Sequence, residues 1–230
     1  PAGLRATVAH LDSIGVMHVG TYADEQARTT ALPLIATVNN IKIGFLNYTY
    51  GTNGLTPSRG VVVDYMDRDR IKADVDSTRA AGAEIVAVCI HWGDEYKLLP
   101  NKSQKNTADF LEALGVDLII GAHPHVIQPM ELRPNRYYPD KNVFLVYSLG
   151  NFVSNMKTAD TRGGALARVR LRRSDDGKVV VTDADYTLLF TVPGNSPKSN
   201  FRVYQADRVE DKVWRVRAED FMRRARAVFG

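Results

Sequence analysis

Asp117-Leu118-Ile119-Ile120-Gly121-Ala122-His123-Pro124-His125-Val126 is a short apolar strand that runs straight into two histidines separated by one proline. Pro124 fixes its own φ and biases Ala122-His123 towards extended backbone, which predicts that His123 and His125 project to the same side of the chain as a preset pair. A second apolar run, Ile85-Val86-Ala87-Val88-Cys89-Ile90, ends on His91 and continues into Trp92-Gly93-Asp94-Glu95. Three of the five histidines therefore sit just past the ends of buried strands. In open α/β sheets, ligand sites form outside the carboxyl ends of strands, where loops from neighbouring strands converge. Neutral imidazole binds zinc, iron, nickel and copper, and manganese accepts it beside oxygen donors. A lone histidine at a strand end is more often a hydrogen-bonded surface or core residue; three at equivalent topological positions, two of them flanking a proline, outweigh that reading.

Working outward, each histidine strand is preceded by a helix. A charged helix is predicted at about 67–81, initiated near Asp67, before the His91 strand; another at about 104–114, ended by Gly115, leads into the His123 strand. Upstream, Leu4, Val8, Leu11 and Ile14 give a helical spacing over 3–15, closed by Gly15. Strands follow at about 34–38 and 41–47, joined by Asn39-Asn40, whose tolerance of positive φ reads as a two-residue hairpin turn. The loop Tyr48-Thr49-Tyr50-Gly51-Thr52-Asn53-Gly54 is too rich in glycine and polar residues to continue the sheet, and is expected to face the site. Downstream, 126–132 and 143–147 read as strands, and the alternating runs 166–172 and 179–189 make a hairpin around Ser174-Asp175-Asp176-Gly177. A loop of breakers at 191–200 precedes a last strand near 202–204 and an arginine-rich helix at about 217–228.

Composition is that of an ordinary folded domain: 44% hydrophobic and 24% charged residues over 230 positions, with a single cysteine and a net charge of +4. No run of about 18 apolar residues is present and no signal peptide is visible. Cys89 excludes an intrachain disulfide, and its enclosure by Val86, Val88 and Ile90 marks it as a small apolar filler rather than a partner nucleophile to His91. Basic residues concentrate late, with Arg168, Arg170, Arg172 and Arg173 alternating along a strand and Arg215, Arg217, Arg223, Arg224 and Arg226 on the last helix. They read as a solvated face, or as an attraction for an anionic polymer or phospholipid surface. Nucleic acid is not expected, because no motif interleaves them with stacking aromatics.

Three segments in order, His91-Trp92-Gly93-Asp94-Glu95-Tyr96, Gly121-Ala122-His123-Pro124-His125-Val126-Ile127-Gln128-Pro129 and Tyr147-Ser148-Leu149-Gly150-Asn151-Phe152-Val153, resemble the C-terminal motifs of CapA-type poly-γ-glutamate capsule biosynthesis proteins. That family belongs to the calcineurin-like metallophosphoesterase superfamily. The similarity covers roughly residues 3–155, with the remainder weakly matched. The resemblance implies an α/β fold, a layered α/β/β/α sandwich, here read as a single domain over 1–230 that is truncated at its N-terminus. It also implies two divalent metal ions, manganese, zinc or iron. By motif position, His91 and His123 would hold one metal and His125 the other, while Asp94, Glu95 and Asn151 are candidate catalytic residues without assigned roles.

The departures matter too. The family's earlier Gly-Asp, Asn/Glu and Asn-Asn-His motifs are missing, and Pro1-Ala2-Gly3-Leu4-Arg5-Ala6-Thr7-Val8 looks like the helix that follows them, so the chain reads as a truncated or processed piece. Two-metal hydrolysis needs a bridging carboxylate between ions about 3.5–4 Å apart. The family's bridging aspartate is absent here, which leaves a partial, histidine-rich site and the expectation of an inactive fragment of a phosphoesterase-like protein. A non-catalytic polymer-binding or scaffold role, and a purely structural role for the histidines, are the alternatives. The resemblance further implies export to the bacterial cell envelope. The expected partners are an anionic envelope polymer or phosphorylated small molecule, membrane-bound synthesis and export proteins, and a second copy pairing through an exposed sheet edge. Trp92 and Tyr96 could equally line a cleft or pack.

Overall fold

In the computed structural model, which describes residues 2–57, 59–196 and 199–229, the chain begins with α1 (Ala2–Ser13), β1 (Thr21–Tyr22), α2 (Glu25–Ala31), β2 (Leu34–Val38), β3 (Ile41–Thr49) and β4 (Val62–Val63). It continues through α3 (Arg68–Ala80), β5 (Ile85–His91), α4 (Lys102–Ala113), β6 (Leu118–Ala122), β7 (Met130–Pro134) and β8 (Asn142–Val146). The long hairpin β9 (Gly163–Arg173) and β10 (Val179–Val192), then β11 (Arg202–Gln205) and α5 (Lys212–Phe229), complete it. A six-stranded sheet has the order β2-β3-β5-β6-β8-β7, and β11-β10-β9 form a second sheet of three strands. β3, β5, β6 and β8 run parallel, while β2 and β7 pair antiparallel at the two edges.

The period of two along β5 explains how the layers assemble. Val86, Val88 and Ile90 point to one face, where Ile71 and Val75 of α3 and Ala108 and Leu111 of α4 meet them. Ile85 and Ala87 point to the other face, against Val179 and Val181 of β10 with Ala167 and Val169 of β9 alongside. A strand covered on both sides must be apolar at every position, which is why β5 reads as one continuous hydrophobic run. The result is a mixed α/β sandwich in which a helical layer, the six-stranded sheet and the three-stranded sheet stack in turn. α5 closes the far end of the hairpin, where Ala218, Phe221 and Ala225, spaced by three and four residues, pack on Ala165, Leu188 and Phe190.

Most expected elements appear within a residue or two. Asn39 and Asn40 sit at φ 49° and 61°, the turn that their sequence predicts. α3 is capped by the Asp67 side chain accepting from Arg70 N at 2.8 Å. Other expectations need correction. The strand predicted at 126–132 is displaced to Met130–Pro134, because 123–129 is taken up by a loop tied to the neighbouring segment: Ile127 forms only an isolated bridge with Leu149. The last helix starts at Lys212, five positions early, since Asp211 accepts from the backbone N–H groups of Val213 and Trp214 at 2.9 and 3.1 Å. α2 was missed; at seven residues it is too short to show a period, although Asp24 caps it through Ala27 N. Strand β10 runs on to Val192, into the loop predicted at 191–200, of which residues 197–198 lie outside those described. Among the described residues no helix is long and apolar enough to cross a membrane.

The late arginines on the hairpin mostly find partners. Arg168 pairs with Asp185 at 2.6 Å and Arg170 with Asp183 at 3.2 Å across the strands. Arg173 donates to Glu84 and to the Asn40 carbonyl, tying the hairpin's turn end to the β2–β3 turn.

Candidate metal centre

Thr49, His91 and Ala122 lie side by side across β3, β5 and β6, so the carboxyl ends of three adjacent parallel strands stop in one row. The next positions stay linked: Tyr50 N donates to the His91 carbonyl at 2.9 Å, and Trp92 N to the Ala122 carbonyl at 3.1 Å. That alignment gathers the rings. His91 and His123 have centroids 4.5 Å apart, and His123 and His125 are 6.2 Å apart. Tyr50 stands 4.8 Å from His123 and lies nearly parallel to His91 at 5.9 Å. Tyr96 stacks on His125 at 6.2 Å.

The backbone reaches this arrangement by a different route from the one the sequence predicts. His123 and His125 are not extended: their φ values are 105° and 61°, and Tyr96, which faces them, is at 65°. Each such conformation costs a side-chain-bearing residue on the order of 1 kcal/mol or more. The Pro124 carbonyl accepts from Tyr96 N at 2.8 Å, so the two strained loops hold one another. Three of the six non-glycine residues with positive φ among the described residues thus belong to this one site.

Beneath the loops, Trp92 is a packing residue. It is 1% exposed, its indole N–H donates to the Tyr147 carbonyl at 2.8 Å, and its ring stacks on Tyr147. Gly121 is what lets β6 pass so close: a Cβ there would stand 2.1 Å from the Tyr147 oxygen and 2.5 Å from the Trp92 indole nitrogen. Tyr96, by contrast, is exposed at the surface of the site. Cys89 points away from any such role, as burial pushes its thiol up and leaves it protonated.

Burial pushes the His91 pKa below the usual imidazole range, with the His123 and His125 rings adding to the effect. His123 is likewise lowered by burial, against the opposing pull of Glu95 and Asp94. Both are neutral at neutral pH and carry free lone pairs. His125 is oriented from behind. Asn151 Nδ2 donates to the Thr161 carbonyl at 2.8 Å, which turns its Oδ1 to the ring to accept from His125 Nδ1 at 2.9 Å. Its Nε2 stands on the other side of the ring, 3.9 Å from Glu95 Oε1. Asp94 is committed elsewhere, accepting from Asn101 Nδ2 at 2.8 Å at the start of α4.

This donor chemistry fits a divalent cation: two neutral imidazoles side by side, a third held by a hydrogen bond through its other nitrogen, and a carboxylate nearby. Among the described residues, however, no group of three or more His, Cys, Asp or Glu side chains stands as a metal-holding cluster. The rings are gathered without being closed on one point, and they must turn to converge. Tyr50 is a site residue that the sequence alone did not single out, although its loop was expected there. A cleft of about 340 Å³ adjoins His91, lined by Asn47, Thr49, Asn53 and Asp64 together with Leu4 and Val63. Asp64 is buried and paired with Arg28 at 2.6 Å and Arg70 at 3.3 Å; no local motif announces it.

Comparison with known proteins places these features in context. The family described as "Bacterial capsule synthesis protein PGA_cap" matches residues 1–156. "PGA biosynthesis protein CapA" of Bacillus subtilis (strain 168) is 40% identical over 103 residues, covering 45% of this chain and 25% of that protein. "Capsule biosynthesis protein CapA" of Bacillus anthracis is 27% identical over 186 residues, covering 78% of this chain and 42% of that protein. The chain thus spans less than half the length of either relative. Among solved structures, a Thermus thermophilus sulfate thiohydrolase SoxB in complex with glycerol aligns with a TM-score of 0.40 at 19% identity, over 84% of this chain and 28% of that one. The Haemophilus influenzae NAD nucleotidase NadN aligns with a TM-score of 0.45 at 13% identity, over 91% and 36%.

Proposed function

The chain belongs to the bacterial capsule synthesis protein family PGA_cap, and from that premise we propose that it serves capsule synthesis in the cell envelope as a metal-dependent, phosphoesterase-like component. Its ligands to divalent cations are His91 and His123 for one ion and His125 for the other. The observation that carries the reading is the 4.5 Å pairing of His91 with His123 at the aligned ends of two adjacent parallel strands. A bound manganese, zinc or iron ion supplies a Lewis acid for a phosphoryl oxygen and an activated water. The protein's own residues do the rest. Asn151 holds His125 by its Nδ1, Glu95 is within reach to take a proton at the site's mouth, and Tyr50 and Tyr96 wall the imidazoles on two sides.

The substrate class is a phosphate ester or related linkage in an anionic envelope polymer, poly-γ-glutamate included, or in a phosphorylated small molecule. Export to the envelope, membrane-bound synthesis partners, self-association through an edge strand and a second cation in the whole protein belong to the same proposal.

Calorimetry with Mn²⁺ and Zn²⁺ tests the site, and hydrolysis of bis-p-nitrophenyl phosphate tests the chemistry. In the whole protein the expected result is saturable binding that His123→Ala weakens at least about tenfold, the loss of one ligand, with turnover falling in parallel; these 230 residues by themselves, without the family's bridging aspartate, should turn over little or nothing. Binding without turnover in the whole protein would replace catalysis with a polymer-binding role. No binding at all would reduce the histidines to structure.

A further inference from the structure

The half-buried arginines of this protein are matched to acids. Arg28 meets Asp64 and Asp74, Arg79 meets Asp117, and Arg133 meets Glu112. Arg162 is different. It is 9% exposed, its Nε donates to the Lys157 carbonyl at 3.3 Å, and among the described residues no carboxylate pairs with its two terminal nitrogens. Its guanidinium lies 4.8 Å from the centroid of Trp214, and Arg217 brings a second guanidinium to the same ring at the same distance. Burial, then the Arg217 charge, push the Arg162 pKa down, so the pair is repulsive as it stands. Of the acids nearby in sequence, Asp160 accepts from Arg224 through both oxygens and Asp211 caps α5, while Glu210 and Glu219 are exposed and do not pair with Arg162.

From this arrangement we propose that Arg162, Trp214 and Arg217 form a binding site for an oxyanion, the carboxylate or phosphate group of a larger molecule, separate from the imidazole cluster. A buried guanidinium without a counter-charge is costly, and a second cation nearby raises that cost; an oxyanion bound at Arg162 offsets both. The guanidinium is planar by resonance, and the N–H groups that do not donate to the Lys157 carbonyl form a fork able to grip two oxygens at once. The framework is rigid. Arg162 immediately precedes β9, with its carbonyl accepting from Thr191 N at 2.8 Å, while Trp214 and Arg217 are three residues apart on α5. Arg217 is exposed, so the mouth is open to a ligand from solvent. The proposal does not depend on the metal reading, because none of its three residues touches the histidines.

The test uses the whole protein, titrated separately with inorganic phosphate and with glutarate at constant ionic strength set by chloride. The indole N–H signal of Trp214 is followed by NMR, and that of the buried Trp92 serves as the internal reference. The expected result is a saturable shift of Trp214 alone. Arg217→Gln, an exposed helix position, should weaken it about tenfold or more through loss of one charge-assisted bond. Arg162→Lys should weaken it comparably by removing the fork while keeping the charge, with thermal unfolding confirming that each variant folds. If Arg162→Lys does not fold, Arg217→Gln carries the test. A response to phosphate only, to glutarate only or to both supports the site and names the source of the group. No response to either, or one untouched by Arg217→Gln, overturns it.

Discussion

Replacing Gly121 by alanine tests the packing that holds the histidine loops. The added Cβ would stand 2.1 Å from the Tyr147 carbonyl oxygen and 2.5 Å from the Trp92 indole nitrogen. Neither neighbour can retreat easily. The first is backbone in the segment that follows β8, and the second is the polar end of a ring that is 1% exposed and hydrogen-bonded to that same carbonyl. β6 is itself paired on both sides, with Ala87–His91 of β5 and with Phe144–Val146 of β8, so it cannot shift alone. Overpacking a filled core costs about 1–3 kcal/mol, and a buried N–H forced off its acceptor adds about 1–3 more. Gly121→Ala should therefore destabilise by about 2–6 kcal/mol, a large share of the roughly 5–15 kcal/mol a domain commands. Denaturant unfolding followed by tryptophan fluorescence measures it, with Gly51→Ala as the control: nothing lies within 4 Å of a Cβ there, and the change should stay within about 0.5 kcal/mol. A Gly121→Ala cost below about 1 kcal/mol would refute the close-packing account of why a glycine precedes the histidine pair.

Other outcomes follow from single contacts. Glu112 is fully buried and accepts from Arg133 through both oxygens at 2.8 Å and from Arg136 N at 2.6 Å; Glu112→Ala should cost about 3–5 kcal/mol in the same unfolding assay, by leaving both terminal nitrogens of Arg133 and the Arg136 N–H without their acceptor, while Glu131 still meets Arg133 Nε. Asn151→Ala removes the acceptor for His125 Nδ1 and should lower Zn²⁺ affinity about 10–100-fold with little change in thermal stability, as read by calorimetry beside a melting curve. The Arg173 hydrogen bond and the Lys42 backbone N–H hold the Glu84 carboxyl at about 2, well below its ordinary value. Its contribution to stability is present above the ordinary carboxylate range and is lost as pH falls through about 2, so its ¹³C carboxyl signal should titrate there and return to the usual range in Arg173→Ala. An unshifted titration in the native protein would remove the hairpin-to-turn tie as an energetic contact.

Much of the fold could be read locally. Continuous apolar runs at 85–90 and 118–120 announced strands covered on both faces, and two neighbouring asparagines announced a positive-φ turn because the rule they obey spans only two residues. Motif order named His91, His123, His125 and Asn151 before any coordinate placed them. Reading went wrong where distant contacts override local preference. Pro124 should extend His123, yet the Tyr96–Pro124 hydrogen bond and the packed end of β6 hold His123 and His125 at positive φ. Trp92 and Tyr96 looked equivalent on paper, but one is sealed against Tyr147 and the other stacks on His125 at the surface.

The amino-acid order alone determined which strands are central, that three histidines follow two of them, and which family the motifs resemble, because hydrophobic period and motif spacing are properties of the chain itself. Only the tertiary structure decided that Thr49, His91 and Ala122 end in one row, that Tyr50 joins the imidazoles, and that Arg162 meets Trp214 and Arg217 without an acid. Those facts depend on parallel register and on the docking of α5 against the hairpin, and both are settled by contacts between residues far apart in sequence.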